Sequence, residues 1–148
     1  MARRTPKAIG TAAETAAVKW LRANGWPSAI RLEELGIRNQ GDLLICDESP
    51  RLTAEVKAGW QSEKAGAALR AEWLQQTEDR AVRAGADLSV LIVARKGCNP
   101  SIWDAVMPAA DWALLTTGDS ILTRDAPEPL RATLAGWSRM AWDWADAQ

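Results

Sequence analysis

The chain reads as an α/β fold with a mixed sheet flanked by helices. Three observations predict it. Short apolar runs over 43–46, 52–58 and 88–94 are bounded by turn residues, as strands are. Two longer segments, 11–24 and 67–84, have helical apolar spacing and stop at Gly25 and Gly85. A helix, three strands, a second long helix and two further strands follow one another along the chain, a mix that builds layered α/β domains. The 148 residues suffice for one domain with a real core, and 47% hydrophobic with 25% charged residues is ordinary for a globular chain.

The elements follow in order. Residues 1–9 form a basic leader with Arg3, Arg4 and Lys7, suited to phosphate contact or to solubility alone. Thr11 is the expected N-cap of the first helix, and Trp26-Pro27 breaks the chain after it. Residues 29–32 form a short first strand, 43–46 the second, and 52–58 the third, with a turn at Asp47-Glu48-Ser49-Pro50-Arg51. After the helix over 67–84 come strands over 88–94 and 102–107, then a short helix over 108–115. Residues 108–148 are expected to form a helical extension. Within it Leu130, Leu134, Trp137, Ala141 and Trp144 recur at steps of four and three, a helical stripe that covers the home core or pairs with a second subunit. Core packing is the expectation.

Composition removes several chemistries. The chain has no His, which excludes Ser-His-Asp and Cys-His nucleophiles, His-ligated zinc and imidazole acid–base steps. Hydrolysis here would run on carboxylates, Lys and metal-bound water. Cys46 and Cys98 form no C-x-x-C pair, Cys46 reads as a small buried hydrophobe, and the expected compartment is the cytoplasm. No signal peptide is expected, and no apolar run reaches membrane-spanning length. Residues 1–100 carry fifteen Lys and Arg against twelve Asp and Glu, while residues 101–148 carry three against seven, so the basic part is N-terminal. All nine aromatic residues are Trp. Trp20, Trp73 and Trp103 fall inside predicted elements and are expected in the core. Trp26 and Trp60 lie near loops, where packing is expected ahead of contact with a splayed base.

The chemistry concentrates in Gly41-Asp42 and Glu55-Val56-Lys57. Side chains alternate across a strand, so Thr53, Glu55 and Lys57 share one face, and Leu52, Ala54 and Val56 the other. A hairpin around Ser49-Pro50 brings the start of the second strand to the end of the third, and Asp42 to Glu55 and Lys57. Two adjacent carboxylates repel unless a cation lies between them, which predicts a hard ion such as Mg²⁺, with Mn²⁺ as a substitute. Lys57 would hydrogen-bond an attacking water or offset charge on a phosphorane-like transition state. The alternative is a solvated strand face with a cross-strand ion pair. Glu14 fits a capping box with Thr11, yet it is in line with Ala17, Val18 and Leu21 and could also reach the metal or its water. Arg31 and Arg38 are candidate phosphate contacts. Gln75 and Gln76 face either the site or solvent.

In this order, Gly10-Thr-Ala-Ala-Glu14, Gly41-Asp42, Glu55-Val56-Lys57, a long helix and the strand over 88–94 resemble the PD-(D/E)XK nuclease superfamily. The resemblance is greatest to its Holliday-junction-resolvase branch, including phage and actinobacterial forms, and covers roughly residues 7–107. Gly41 stands where the superfamily's name has proline. The resemblance implies a restriction-endonuclease-like fold and Mg²⁺-dependent phosphodiester cleavage. It implies that Asp42 and Glu55 are metal ligands, that the backbone carbonyl of Val56 adds a third, that Lys57 activates water, and that Glu14 is the acidic residue of the first helix. It also implies a homodimer whose two sites nick opposite strands of a four-way junction. The same site could instead act on flaps, ends or duplex sites, and a catalytically idle DNA-binding module is the reading from another class.

Overall fold

A computed structural model of the chain describes residues 3–118 and 129–148. Residues 1–2 of the basic leader and residues 119–128 of the expected C-terminal extension lie outside the described residues. The elements are α1 (Pro6–Ala23), β1 (Ile30–Arg31), β2 (Leu43–Cys46), β3 (Leu52–Lys57), α2 (Trp60–Lys64), α3 (Ala67–Ala84), β4 (Leu88–Val93), β5 (Asp104–Met107), α4 (Ala109–Thr117), β6 (Leu130–Thr133) and α5 (Leu134–Asp146). The strands form a six-stranded mixed sheet in the order β1-β2-β3-β4-β5-β6. All neighbours are antiparallel except β3 and β4, which run parallel and are joined through α2 and α3.

Three expected elements differ in the structure, two of them because of a local cap. The first helix starts at Pro6 because Thr5 caps it, its side chain accepting the Ala8 N–H at 3.1 Å, with proline pre-set for the first turn. Thr11 is therefore mid-helix and caps nothing, and part of the basic leader is helical. The first strand is only two residues long and gives way to a 3-10 turn over Leu32–Leu35. The segment expected as one helix over 130–144 divides at Thr133. Its side chain accepts the Gly136 N–H at 3.1 Å and starts α5, while Leu130–Thr133 pairs with β5 as a sheet strand. Leu130 therefore falls outside the helical stripe and is exposed. The five-residue helix α2 was not foreseen.

Each face of the sheet carries its own core, as alternation requires. On one face Leu52, Ala54, Val56, Val90 and Ile92 pack with Ala17, Val18 and Leu21 of α1 and with Leu134, Trp137 and Ala141 of α5. On the other, Leu91, Val93 and Val106 pack against Trp73 and Leu74 of α3. The α5 stripe thus faces the home core. Trp137 is fully buried and stacks on Trp26 with ring centroids 6.4 Å apart, and Trp26 Nε1 donates to Ser138 Oγ at 2.8 Å. Trp73 and Trp103 are buried as expected. Trp60 is not packed: it is 69% exposed, with the Lys64 ammonium 4.6 Å from its ring centroid. Among the described residues no helix is long and apolar enough to cross a membrane.

Candidate active site

The β2–β3 hairpin builds the site. Leu43 lies opposite Ala54, and the Asp42 N–H donates to the Ala54 carbonyl at 2.9 Å. Asp42 Oδ2 in turn accepts the Val56 N–H at 2.8 Å. Asp42 is therefore pinned to β3 on both sides of Glu55, and Val56 enters the site through its amide. Gly41 makes the approach possible. Its φ of +111° is closed to proline, and a β-carbon there would lie 3.2 Å from the Ala54 carbonyl oxygen. Gly41→Ala is expected to cost about 1–3 kcal/mol, read as a lower Tm, because strain falls on the segment that aims Asp42.

Glu55 is 1% exposed and lies on the α3 face of β3. Its Oε1 accepts from Arg80 Nη1 at 2.7 Å, while Oε2 is buried without a hydrogen-bond partner among the described residues. Burial first, and then the nearby Asp42 charge, push the Glu55 carboxyl up to about 7, against the pull of Arg80. Two ionised carboxylates cannot hydrogen-bond each other, so this pair needs either a shared proton or a cation.

The sign of the stability effect follows. The folded protein holds the Glu55 proton more tightly than the unfolded chain, so the stabilisation is complete below the ordinary value of 4.5 and is lost as pH rises through about 7. Metal-free protein is expected to lose on the order of 3 kcal/mol from this group between pH 4.5 and 8. Chemical denaturation across that range, in chelator, measures it.

Lys57 follows on the same face. Its Nζ lies 3.3 Å from Gln76 Oε1 and 5.7 Å from the centroid of the Trp73 ring. The helix α3 therefore furnishes Trp73, Gln76 and Arg80 at spacings of three and four, one face turned to the carboxylates. Gln76 faces the site, and Gln75 instead donates to Asp79 on the exposed side.

Glu14 does not join the pair directly. Its Oε2 accepts from Arg31 Nε at 2.9 Å, and Arg31 also donates to Glu33 at 2.7 Å. Burial chiefly raises the Glu14 pKa; the Arg31 hydrogen bond opposes this and the nearby Asp42 charge adds to it. Arg31 is thus held as an ion-pair partner inside the fold instead of standing ready for phosphate. Among the described residues no three acidic groups are disposed as a metal cluster, and the adjacent pair is Asp42 with Glu55.

An open cleft of about 520 Å³ runs past the site, lined by Lys7, Glu14, Arg38, Asn39, Asp42 and Arg80. Lys7 and Arg38 therefore border the cleft, while Arg3 and Arg4 are exposed ahead of α1. Arg80 was missed in the sequence. It lies four residues after Gln76, on the same face of α3, which places a cation above Glu55.

The residues fit a divalent cation. Asp42 is anchored by the Val56 amide and Glu55 by Arg80, and the buried Oε2 of Glu55 has no hydrogen-bond partner among the described residues, so it can serve as an oxygen ligand. Asp42 and Glu55 would hold the ion, which would supply Lewis-acid stabilisation and a more acidic bound water. The chain matches no protein-family model, no curated protein and no solved structure.

Proposed function

We propose that the protein is a Mg²⁺-dependent DNA endonuclease of PD-(D/E)XK type, with a restriction-endonuclease-like fold, acting on four-way junctions. The observation that carries this reading is the Asp42–Glu55 pair, with Glu55 buried and Asp42 half-buried, mutually repelling and pinned by the hairpin, with Lys57 on the same strand face as Glu55. The order of helix, hairpin, crossover helix and parallel strand supports the fold reading.

The chemistry proposed for each side chain is limited. Asp42 and Glu55 hold the cation. Lys57 Nζ, steadied by Gln76, donates hydrogen bonds to the nucleophilic water or to a non-bridging phosphate oxygen as negative charge grows there. Lys7 and Arg38 present positive charge along the cleft to the approaching backbone, while Arg80 is held on Glu55. Glu14 acts through its charge and through its grip on Arg31. A homodimer completes the reading, with one site for each of two opposed strands. The apolar stripe of α5 is packed on the home core and is not the interface. We place the activity in the cytoplasm.

Cleavage assays on a synthetic four-way junction, a flap and a linear duplex, each with Mg²⁺ and with chelator, test the proposal. Cutting of the junction in Mg²⁺ alone is the expected result. Preference for flap or duplex would move the substrate and keep the site. One observation favours the idle-module reading: Arg80 already pairs with one Glu55 oxygen without any metal. DNA retention on a gel with no cutting under any divalent ion would establish it.

A further inference from the structure

We propose that the arginines around Asp104 form a second phosphodiester site, which grips a nucleic-acid backbone beside the Asp42–Glu55 centre. The assignment of DNA as the ligand rests on the nuclease reading. The site itself rests on different residues.

Asp104 is the first residue of β5, and its side chain is 9% exposed. Three guanidiniums surround it. Arg95 Nη2 donates to Oδ1 at 2.9 Å, a hydrogen bond, whereas Arg70 and Arg131 stand 3.9 and 3.8 Å from Oδ2, beyond hydrogen-bond length. Arg70 Nε is buried with no hydrogen-bond partner among the described residues. A buried carboxylate requires a partner, and Arg95 provides one. The two further guanidiniums add repulsion in a shared cleft, which a second anion would relieve. That cleft is open and of about 270 Å³, with Arg95 and Arg131 half or more exposed at its mouth. Glu63, whose Oε1 accepts the Lys96 N–H at 3.1 Å, also lines the cleft, so four cations there (Arg70, Arg95, Lys96 and Arg131) face two carboxylates and the cleft remains net positive.

Register fixes where this cleft lies. Lys57 is opposite Val93, and Val93 is opposite Asp104, so the three form one row across the sheet. Lys57 and Asp104 are two strand spacings apart, about 10 Å between Cα atoms. Arg131 of β6 lies opposite Val106, on the same α3 face. Helix α3 gives Arg80 to one site and Arg70 to the other, ten residues and about 15 Å along its axis. Each strand of a duplex places a phosphate about every 3.4 Å of axis, so these separations match three to four phosphates. One strand can lie along α3 with its scissile group at Glu55 and a flanking phosphate at Arg70, Arg95 and Arg131.

The test measures anisotropy of fluorescein-labelled duplex DNA with full-length protein, in chelator, over a series of salt concentrations. Arg95→Ala/Arg131→Ala is expected to weaken binding about tenfold or more and to lower the slope of log Kd against log salt by about two. Lys19→Ala/Arg139→Ala removes the same charge from other surfaces and is expected to change the slope by less. Arg131→Glu, a change at an exposed position, carries the test if the double variant does not fold by circular dichroism. An unchanged affinity and slope, or an equal loss in the Lys19/Arg139 control, would overturn the second site. The nuclease reading fails separately: wild-type protein would then cut nothing in Mg²⁺ while the binding difference persisted.

Discussion

Glu55→Gln is expected to reduce Mg²⁺-dependent cleavage by about a thousandfold or more and yet to yield a protein that is more stable than wild type at pH 8. The loss follows because an amide replaces one of the two anionic ligands. The gain follows from burial. At pH 8 wild-type Glu55 carries a charge at a position 1% exposed, facing Asp42, with Arg80 reaching only one of its oxygens. A glutamine keeps the shape, accepts from Arg80 through its carbonyl oxygen, and can donate to Asp42. Sites that hold charges together for function commonly do so at a cost in stability. Denaturant titrations at pH 5 and pH 8 read the effect as a flattened pH dependence in the variant. Equal or lower stability than wild type at pH 8 would show that Glu55 is not held at a cost.

Trp137→Ala is the largest expected effect on folding, a loss of about 3–5 kcal/mol. Trp137 is fully buried, is stacked on Trp26, and ties α5 to the sheet face that α1 also covers. Its ring nitrogen has no hydrogen-bond partner among the described residues, so the loss is one of packing. For a chain of this size the change lowers Tm by roughly 10 °C or more. Trp142→Ala on the same helix is expected to cost less than about 1 kcal/mol, because Trp142 is one of the exposed hydrophobic side chains. Similar losses for the two would mean that α5 does not pack as described.

Much of the fold was legible because it follows from periods of two and of 3.6. The runs at 43–46, 52–58 and 88–94 and the helix over 67–84 all correspond to elements within a residue or two. The hairpin argument also placed Asp42 against β3, since the turn residues fix its register. What stayed hidden depended on caps and on tertiary partners. Thr5-Pro6 outweighed Thr11 as a helix start, and Thr133 ended a strand inside what reads as a helical stripe. Arg31 was a plausible phosphate contact until its pairing with Glu14 and Glu33 was seen, and such a pairing links segments that no local pattern connects. Arg80 and Gln76 were illegible for the same reason. The periodicity of α3 indicates an inward face without saying which strand residue lies beneath it.

The central claim is that Asp42 and Glu55 together hold a divalent cation. Electron paramagnetic resonance of free Mn²⁺, titrated with the full chain at pH 7.5, tests it without recourse to activity. Wild-type protein is predicted to deplete the free-ion signal saturably, and Asp42→Asn and Glu55→Gln are predicted to leave it unchanged at the same concentrations. Equal depletion by wild type and both variants would contradict the account.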